Sequence, residues 1–195
     1  MRIVSSALDS LALAAENPDR EVIFLGIGFE TTAPTVASAI GKAQRRRQGN
    51  FSVFSLHKTV PPVISALIGD PELSIDGFLC PGHVSVITGT EAYSEIPASG
   101  RAAVITGFEP VDILEGVLLL LSQLLERQFE VAIQYSRRVK PEGNARARAV
   151  MDEVFTPVTS EWRGIGWIPG RGLPPRENYT DYAACKRFTN PEIVS

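Results

Sequence analysis

A chain of 195 residues has room for one substantial domain and part of another. With 44% hydrophobic and 21% charged residues it has the make-up of an ordinary soluble globular protein, and a net charge of -3 gives no broad basic surface for nucleic acid. The longest unbroken apolar run, residues 117–121, is far short of the ~20 needed to span a bilayer, so no membrane partner is expected. No cationic start followed by an apolar stretch is read, and only two cysteines occur, Cys80 and Cys185, too few for a disulfide framework or an all-cysteine metal site. A reducing cytoplasm is the expected location.

In chain order, residues 1–4 (MRIV) predict a short strand, an odd start that suggests a piece of something longer. Ala7, Leu8, Leu11, Ala12 and Ala15 recur at helical spacing until Asn17-Pro18 stops them. Residues 21–35, EVIFLGIGFETTAPT, follow. Their apolar, β-branched-rich first half suits a strand buried on both faces of a parallel sheet. Gly28 permits a backbone angle or a close approach that a Cβ would hinder. Thr31 or Thr32 can cap the next helix, and Pro34 fits its first turn. Between strand and helix stands Glu30, at the carboxyl end of the sheet, where open α/β folds place their ligands.

The helix from about residue 34 to 47 closes on Arg45, Arg46 and Arg47, followed by Gly49-Asn50. Cations at a helix C-terminus account for this triplet better than phosphate binding does. Residues 51–56 predict a strand leading to His57-Lys58 and Pro61-Pro62, and residues 63–68 a short helix. Residues 75–80 (IDGFLC) predict a strand running into Pro81, Gly82, His83, Val84 and Ser85, read as a loop. Residues 102–105 predict another strand, then Gly107-Phe108-Glu109-Pro110 and a helix over about 111–127 with Asp112, Glu115, Gln123 and Glu126 on its polar face. Residues 129–139 fit a strand or a helical extension equally, and residues 141–155 a helix begun by Pro141. Glycine and proline are dense from 164 to 175. The expected organisation is an α/β domain over 1–160, then a linker and the start of another unit over 161–195.

Strands alternating with helices imply a three-layer α/β/α fold with a mostly parallel, Rossmann-like sheet. Gly28-Phe29-Glu30 and Gly107-Phe108-Glu109 are one tripeptide used twice, each time between a strand and a helix. On a single parallel sheet both glutamates and His83 would share one edge, with the hydroxyls of Thr31, Thr32 and Ser85. Each residue alone has a bland role, as cap, turn histidine or helix-end charge; the repeated tripeptide favours a shared acid/base site of Glu30, His83 and Glu109. His57, before a Pro-Pro turn, reads as structural. GIGFET lacks the third glycine of a dinucleotide fingerprint, and no G-x-S-x-G or H-E-x-x-H is present.

GFETTAPT, HKTVPP, DGFLCPGHVSVITGT, GFEPVDIL, QYSRRVKPEGNARA and WRGIGWIPGRGL, in this order, resemble the signature blocks of HypD, the maturation family on which the iron–cyanide–carbonyl unit of nickel–iron hydrogenases is assembled. The resemblance covers residues 1 to about 188. It implies a cleft formed by Gly28, Phe29, Glu30, Thr31 and Thr32, by Pro81 to Ser85 (with Gly82, His83 and Val84), and by Gly107, Phe108 and Glu109. It also implies a HypC-like small partner, a HypE-like cyanide donor, bound iron and a [4Fe–4S] cluster. The family's N-terminal iron-binding cysteine motif and cysteine-rich C-terminal part have no counterpart in this sequence, so no metal ligand is assigned. The alternatives are a small-molecule enzyme using Glu30 and His83 as acid and base, or a partner-binding module without chemistry.

Overall fold

Two parallel sheets, rather than one, organise the chain in the computed structural model, which describes residues 1–188. The α/β class and the parallel pairing are as expected; the single sheet is not. Two compact units result, one of Met1–Lys58 with the chain from Ala149 onward, the other of Thr59–Arg148.

In the first unit, Ser6 caps α1 (Ala7–Glu16): the Asp9 N–H donates to Ser6 Oγ at 3.3 Å and the Ser6 N–H to Asp9 Oδ2 at 2.9 Å. β1 (Val22–Gly26) and β2 (Phe51–Ser55) pair in parallel with Val22 opposite Phe51, and α2 (Ala33–Arg46) connects them. Leu11, Ala14, Val36, Ala37, Ile40, Phe51 and Val53 are buried. Pro34 lies in the first turn of α2, and Arg47 closes it in the left-handed region at φ 52°. Asn50 ties α1 to β2, its amide donating to the carbonyls of Ala14, Asn17 and Arg20. Two expectations fail. Residues 1–4 form no strand, and β1 is covered on one face only, Ile23 and Leu25 remaining about half exposed.

The second unit opens with α3 (Pro61–Ile68) and is built on β3 (Gly77–Pro81), β4 (Ala102–Thr106) and β5 (Val131–Ile133), parallel in that order. β4 is central and wholly buried, with Cys80 opposite Ile105 and Ile105 opposite Ile133. Ile64, Tyr93, Ile96, Ala103, Tyr135 and Val139 complete its core. The stretch after β3 is a helix from its first residue, α4 (Gly82–Thr88), where a loop was expected; a 3-10 turn (Glu91–Tyr93) and α5 (Glu95–Ala98) follow.

α6 (Pro110–Glu126) sits on this sheet with its polar face divided: Glu115 and Glu126 are exposed as expected, but Asp112 and Gln123 are not. Asp112, Gly116 and Gln123 face inward, while Val111, Leu114, Leu118, Leu121 and Leu125 are each more than half exposed. The buried polar residues are satisfied locally. Gln123 donates to the Ala103 carbonyl at 3.1 Å and accepts the Glu130 N–H at 3.2 Å, joining β4 to the approach to β5. Gly116 lets the helix approach Leu79 and Thr106 where a side chain would collide.

α7 (Ala145–Val154) returns the chain to the first unit, where β6 (Val158–Trp162) and β7 (Gly166–Gly172) form an antiparallel hairpin. A 3-10 segment (Glu177–Tyr182) and α8 (Ala184–Arg187) end the described chain. No helix among the described residues is long and apolar enough to cross a membrane.

Truncating a satisfied, buried amide strands its partners, at about 1–3 kcal/mol, whereas an exposed change is worth within about 0.5 kcal/mol. Gln123→Ala is therefore expected to lower the unfolding free energy by the first amount and Leu118→Gln by the second, in chemical denaturation of each purified variant. A larger loss from Leu118→Gln would mean that the leucine stripe, not the glutamine, faces the core.

Candidate functional site

β3 and β4 are neighbours and point the same way, so the residues after them emerge at one edge of the second unit's sheet. His83 is in the first turn of α4 and Glu109 immediately precedes α6; both are exposed, as is Phe108. The His83 ring lies 4.7 Å from the Phe108 ring and 5.9 Å from that of Tyr135, centroid to centroid. Pro81 ends β3, while Val84 and Ser85 turn inward. The Ser85 hydroxyl donates to the Pro81 carbonyl at 2.9 Å and lies 3.3 Å from Tyr93 Oη, so it holds the first turn of α4.

Beneath this edge lies a carboxylate that periodicity had assigned to solvent. Asp112 is buried and accepts Arg137 Nη1 and Nη2 at 2.7 and 2.6 Å, Gln134 Nε2 at 2.9 Å and the Glu109 N–H at 3.4 Å. The Arg137 hydrogen bonds, then that of Gln134, hold its carboxyl well below the usual carboxylate range. Gln134 also accepts the Gly107 N–H at 3.2 Å and donates to Glu115 at 2.8 Å. Arg137 lies 4.3 Å from the Tyr135 ring centroid. The glycines of the two motifs follow from this packing. A Cβ on Gly82 would come 2.7 Å from the Tyr135 ring, and one on Gly107 2.9 Å from it and into the Asp112 carboxylate.

The first tripeptide has other surroundings, in the first unit. Gly28 has φ 146°, a conformation that favours glycine, and a Cβ there would run into the Thr32 hydroxyl. Thr32 precedes α2 but donates to the Phe29 carbonyl at 3.3 Å instead of capping, and Thr31 is exposed. Phe29 stacks on Trp162 of β6 at 6.5 Å, and the Arg171 guanidinium of β7 lies 3.2 Å from the Trp162 ring centroid. Glu30 and Arg171 are both buried. Burial lowers the Arg171 pKa and the Glu30 charge opposes that shift. Lys58, hydrogen-bonded to Ser160, is lowered by burial and then by the Arg171 charge, against Glu161. The structure thus gathers His83, Phe108 and Glu109 at one edge, while Gly28 to Thr32 belong to a different sheet and unit.

With this geometry in place, the comparisons with known proteins are decisive. The HypD family model, described as the hydrogenase formation hypA family, matches residues 1–194. The chain belongs to the HypD family. It is 44% identical over 190 residues to the hydrogenase maturation factor HypD of Rhodobacter capsulatus, covering 96% of this chain and 50% of that protein. It is 42% identical to those of Azotobacter vinelandii, over 96% of this chain and 52% of the relative, and of Escherichia coli K12, over 96% and 51%. The chain therefore spans about half the length of the curated HypD relatives it matches.

A [4Fe–4S] cluster takes four thiolates in its usual form. This portion of a HypD chain has two cysteines, and no group of three or more His, Cys, Asp or Glu side chains able to hold a metal occurs among the described residues. Cys80 is buried in the core, which pushes its thiol up to about 12 and makes it a packing residue. The cluster does not fit the residues present here.

Asp112, Gln134, Tyr135 and Arg137 were absent from the sequence reading of the site, although QYSRRV was among the HypD-like blocks. The bonds of Gln134 and Arg137 to Asp112 span more than twenty residues, and no local pattern announces them.

His57 is structural, as read: it is 1% exposed and its ring packs 5.9 Å from Phe155. Ser55 Oγ donates to the Leu173 carbonyl at 2.7 Å, so in the 3.2 Å contact of His57 Nδ1 with that oxygen Nδ1 is the donor; it is the burial of the ring that favours the neutral imidazole. Burial lowers its pKa from 6.5 to about 4. The unfolded chain therefore binds this proton more readily. The stabilisation is complete above pH 6.5 and is lost as pH falls towards 4, by about 3 kcal/mol at ~1.36 kcal/mol per unit. Thermal midpoints measured against pH are expected to fall across that window in the natural protein and to stay flat in His57→Gln. Below about pH 3.8 both proteins should lose stability, because Asp112 is held deprotonated in the folded state. An identical fall in His57→Gln between pH 6.5 and 4 would refute the neutral buried imidazole.

Proposed function

We propose that this chain is part of a hydrogenase maturation factor that serves as the scaffold for assembling the Fe(CN)2CO unit of nickel–iron hydrogenase, and that the edge carrying His83 and Glu109 faces the iron fragment as it is built. The iron is cargo, not a resident cofactor. The observation that carries this reading is the convergence, in a chain of the HypD family, of two separate signature motifs on one sheet edge with their polar side chains exposed.

The chemistry suits such a cargo. A cyanide or carbonyl ligand ends in a small, weakly basic atom that a single directed N–H or O–H can hold. His83, set between Phe108 and Tyr135, can present an imidazole N–H from a partly apolar wall, and Glu109 can take up or return a proton within reach of solvent. In the first unit, the Glu30 carboxylate is buried, as is Arg171, with Phe29 packed on Trp162. A HypC-like partner and a HypE-like cyanide donor are the proteins with which the complete scaffold would work.

Glu126, exposed at the far end of α6, serves as the silent control. In the longer homologous proteins, the changes equivalent to Glu109→Gln and His83→Ala are expected to abolish hydrogenase activity in a complemented deletion strain, and Glu126→Gln to leave it intact. In the purified chain, Glu109→Gln is expected to lose no more than about 1 kcal/mol, the worth of a helix-end charge. Normal maturation with a folded Glu109→Gln protein would reduce Glu109 to that structural charge.

A further inference from the structure

We infer that Arg137 is a positioning residue that couples the His83 turn to the Glu109 turn, an inference that rests on reading those two side chains as the working groups of this edge. One guanidinium touches the supports of both. Its Nη1 and Nη2 hold the two oxygens of Asp112 at 2.7 and 2.6 Å, and Asp112 in turn accepts the Glu109 N–H. Its Cζ lies over the Tyr135 ring, 4.3 Å from the centroid, and that ring flanks His83 at 5.9 Å.

Tyr135 has no room to drift. Its Cδ1 and Cδ2 would be 2.7 and 2.9 Å from any Cβ added at Gly82 and Gly107, so the ring is wedged between the residues preceding His83 and Phe108. The Asp112 side chain is 6% exposed and that of Arg137 49%, so the cation reaches in from solvent to a carboxylate that the fold has already buried. Removing the cation leaves that carboxylate with only Gln134 and the Glu109 N–H. The response open to it is to draw in water or protonate, and either shifts the residue preceding α6. A lysine cannot replace it, because an ammonium group lacks the planar fork that grips both carboxylate oxygens while its carbon sits over the ring.

The presence of only two histidines makes the coupling directly observable. The imidazole proton signals of His83 are set by the ring currents of Phe108 and Tyr135, whereas His57 is a buried reference in the other unit. In NMR spectra of the purified chain, Arg137→Gln is expected to move both the His83 ring signals and the Glu109 amide towards random-coil positions. The His57 signals and the core amides of β4 should stay in place. Arg137→Lys is expected to restore neither.

A purely structural arginine would move nothing at His83 short of unfolding. Unchanged His83 signals, or movement of only one of the two turns, would overturn the coupling. If Arg137→Gln unfolds the protein, Arg137→Lys decides by the same two signals, and unmoved signals there overturn it equally. The functional reading fails separately: normal maturation by a His83→Ala relative, while Arg137→Gln still shifts His83, would strike the scaffold role of the edge and leave the coupling standing.

Discussion

The carboxylate of Asp112 is the constraint on which the second unit's edge depends. A buried charge is tolerated only when its lone pairs are taken up, and here one arginine, one glutamine amide and one backbone N–H take them up together. Those donors come from the segment after β5 and from the residue before α6. Satisfying the charge therefore fixes where β4 hands over to α6, and with it the direction in which Glu109 leaves the sheet. Tyr135, carried beside Gln134, transmits the same constraint to α4 by filling the space that two glycines leave open.

That constraint explains why α6 turns Asp112 and Gln123 inward and several leucines outward, while Glu115 and Glu126 stay exposed. Its amphipathicity, read from periodicity, put all four of these polar residues in solvent. The pattern was real, but a helix buries the face whose groups find partners, and Asp112 and Gln123 both find them on the sheet below. Hydrophobic spacing tells which residues share a face. It does not tell which face is inside when the polar side chains can be satisfied there.

Much of the chain was nevertheless legible. The apolar runs at 22–26, 51–55 and 102–106 became strands because β-branched and aromatic side chains suit a pleated core, and Pro34, Pro61 and Pro110 fell in first turns where a missing N–H costs nothing. α4 and α5 went unread because helices of seven and four residues are too short to show a period. The single sheet was inferred from alternation alone, and alternation cannot tell one parallel sheet from two. In the candidate site, His83 and Glu109 were visible as motif residues, but Arg137, Tyr135 and Gln134 became visible only once the chain had folded back over more than twenty residues.

The repeated tripeptide has, in the end, two meanings. In both copies glycine admits a neighbour where a Cβ would collide, and phenylalanine lays its ring against another ring, Trp162 in one case and His83 in the other. The glutamates diverge. Glu30 is buried with a buried arginine, and its charge opposes the lowering of that arginine's pKa by burial. Glu109 lends its backbone N–H to Asp112 and keeps its side chain in the open. Gly-Phe-Glu is thus a shared local solution for leaving a parallel strand, and the surroundings decide the chemistry. The same tripeptide thus turns one carboxylate, that of Glu109, towards solvent. It encloses the other, that of Glu30, within the packing of the first unit.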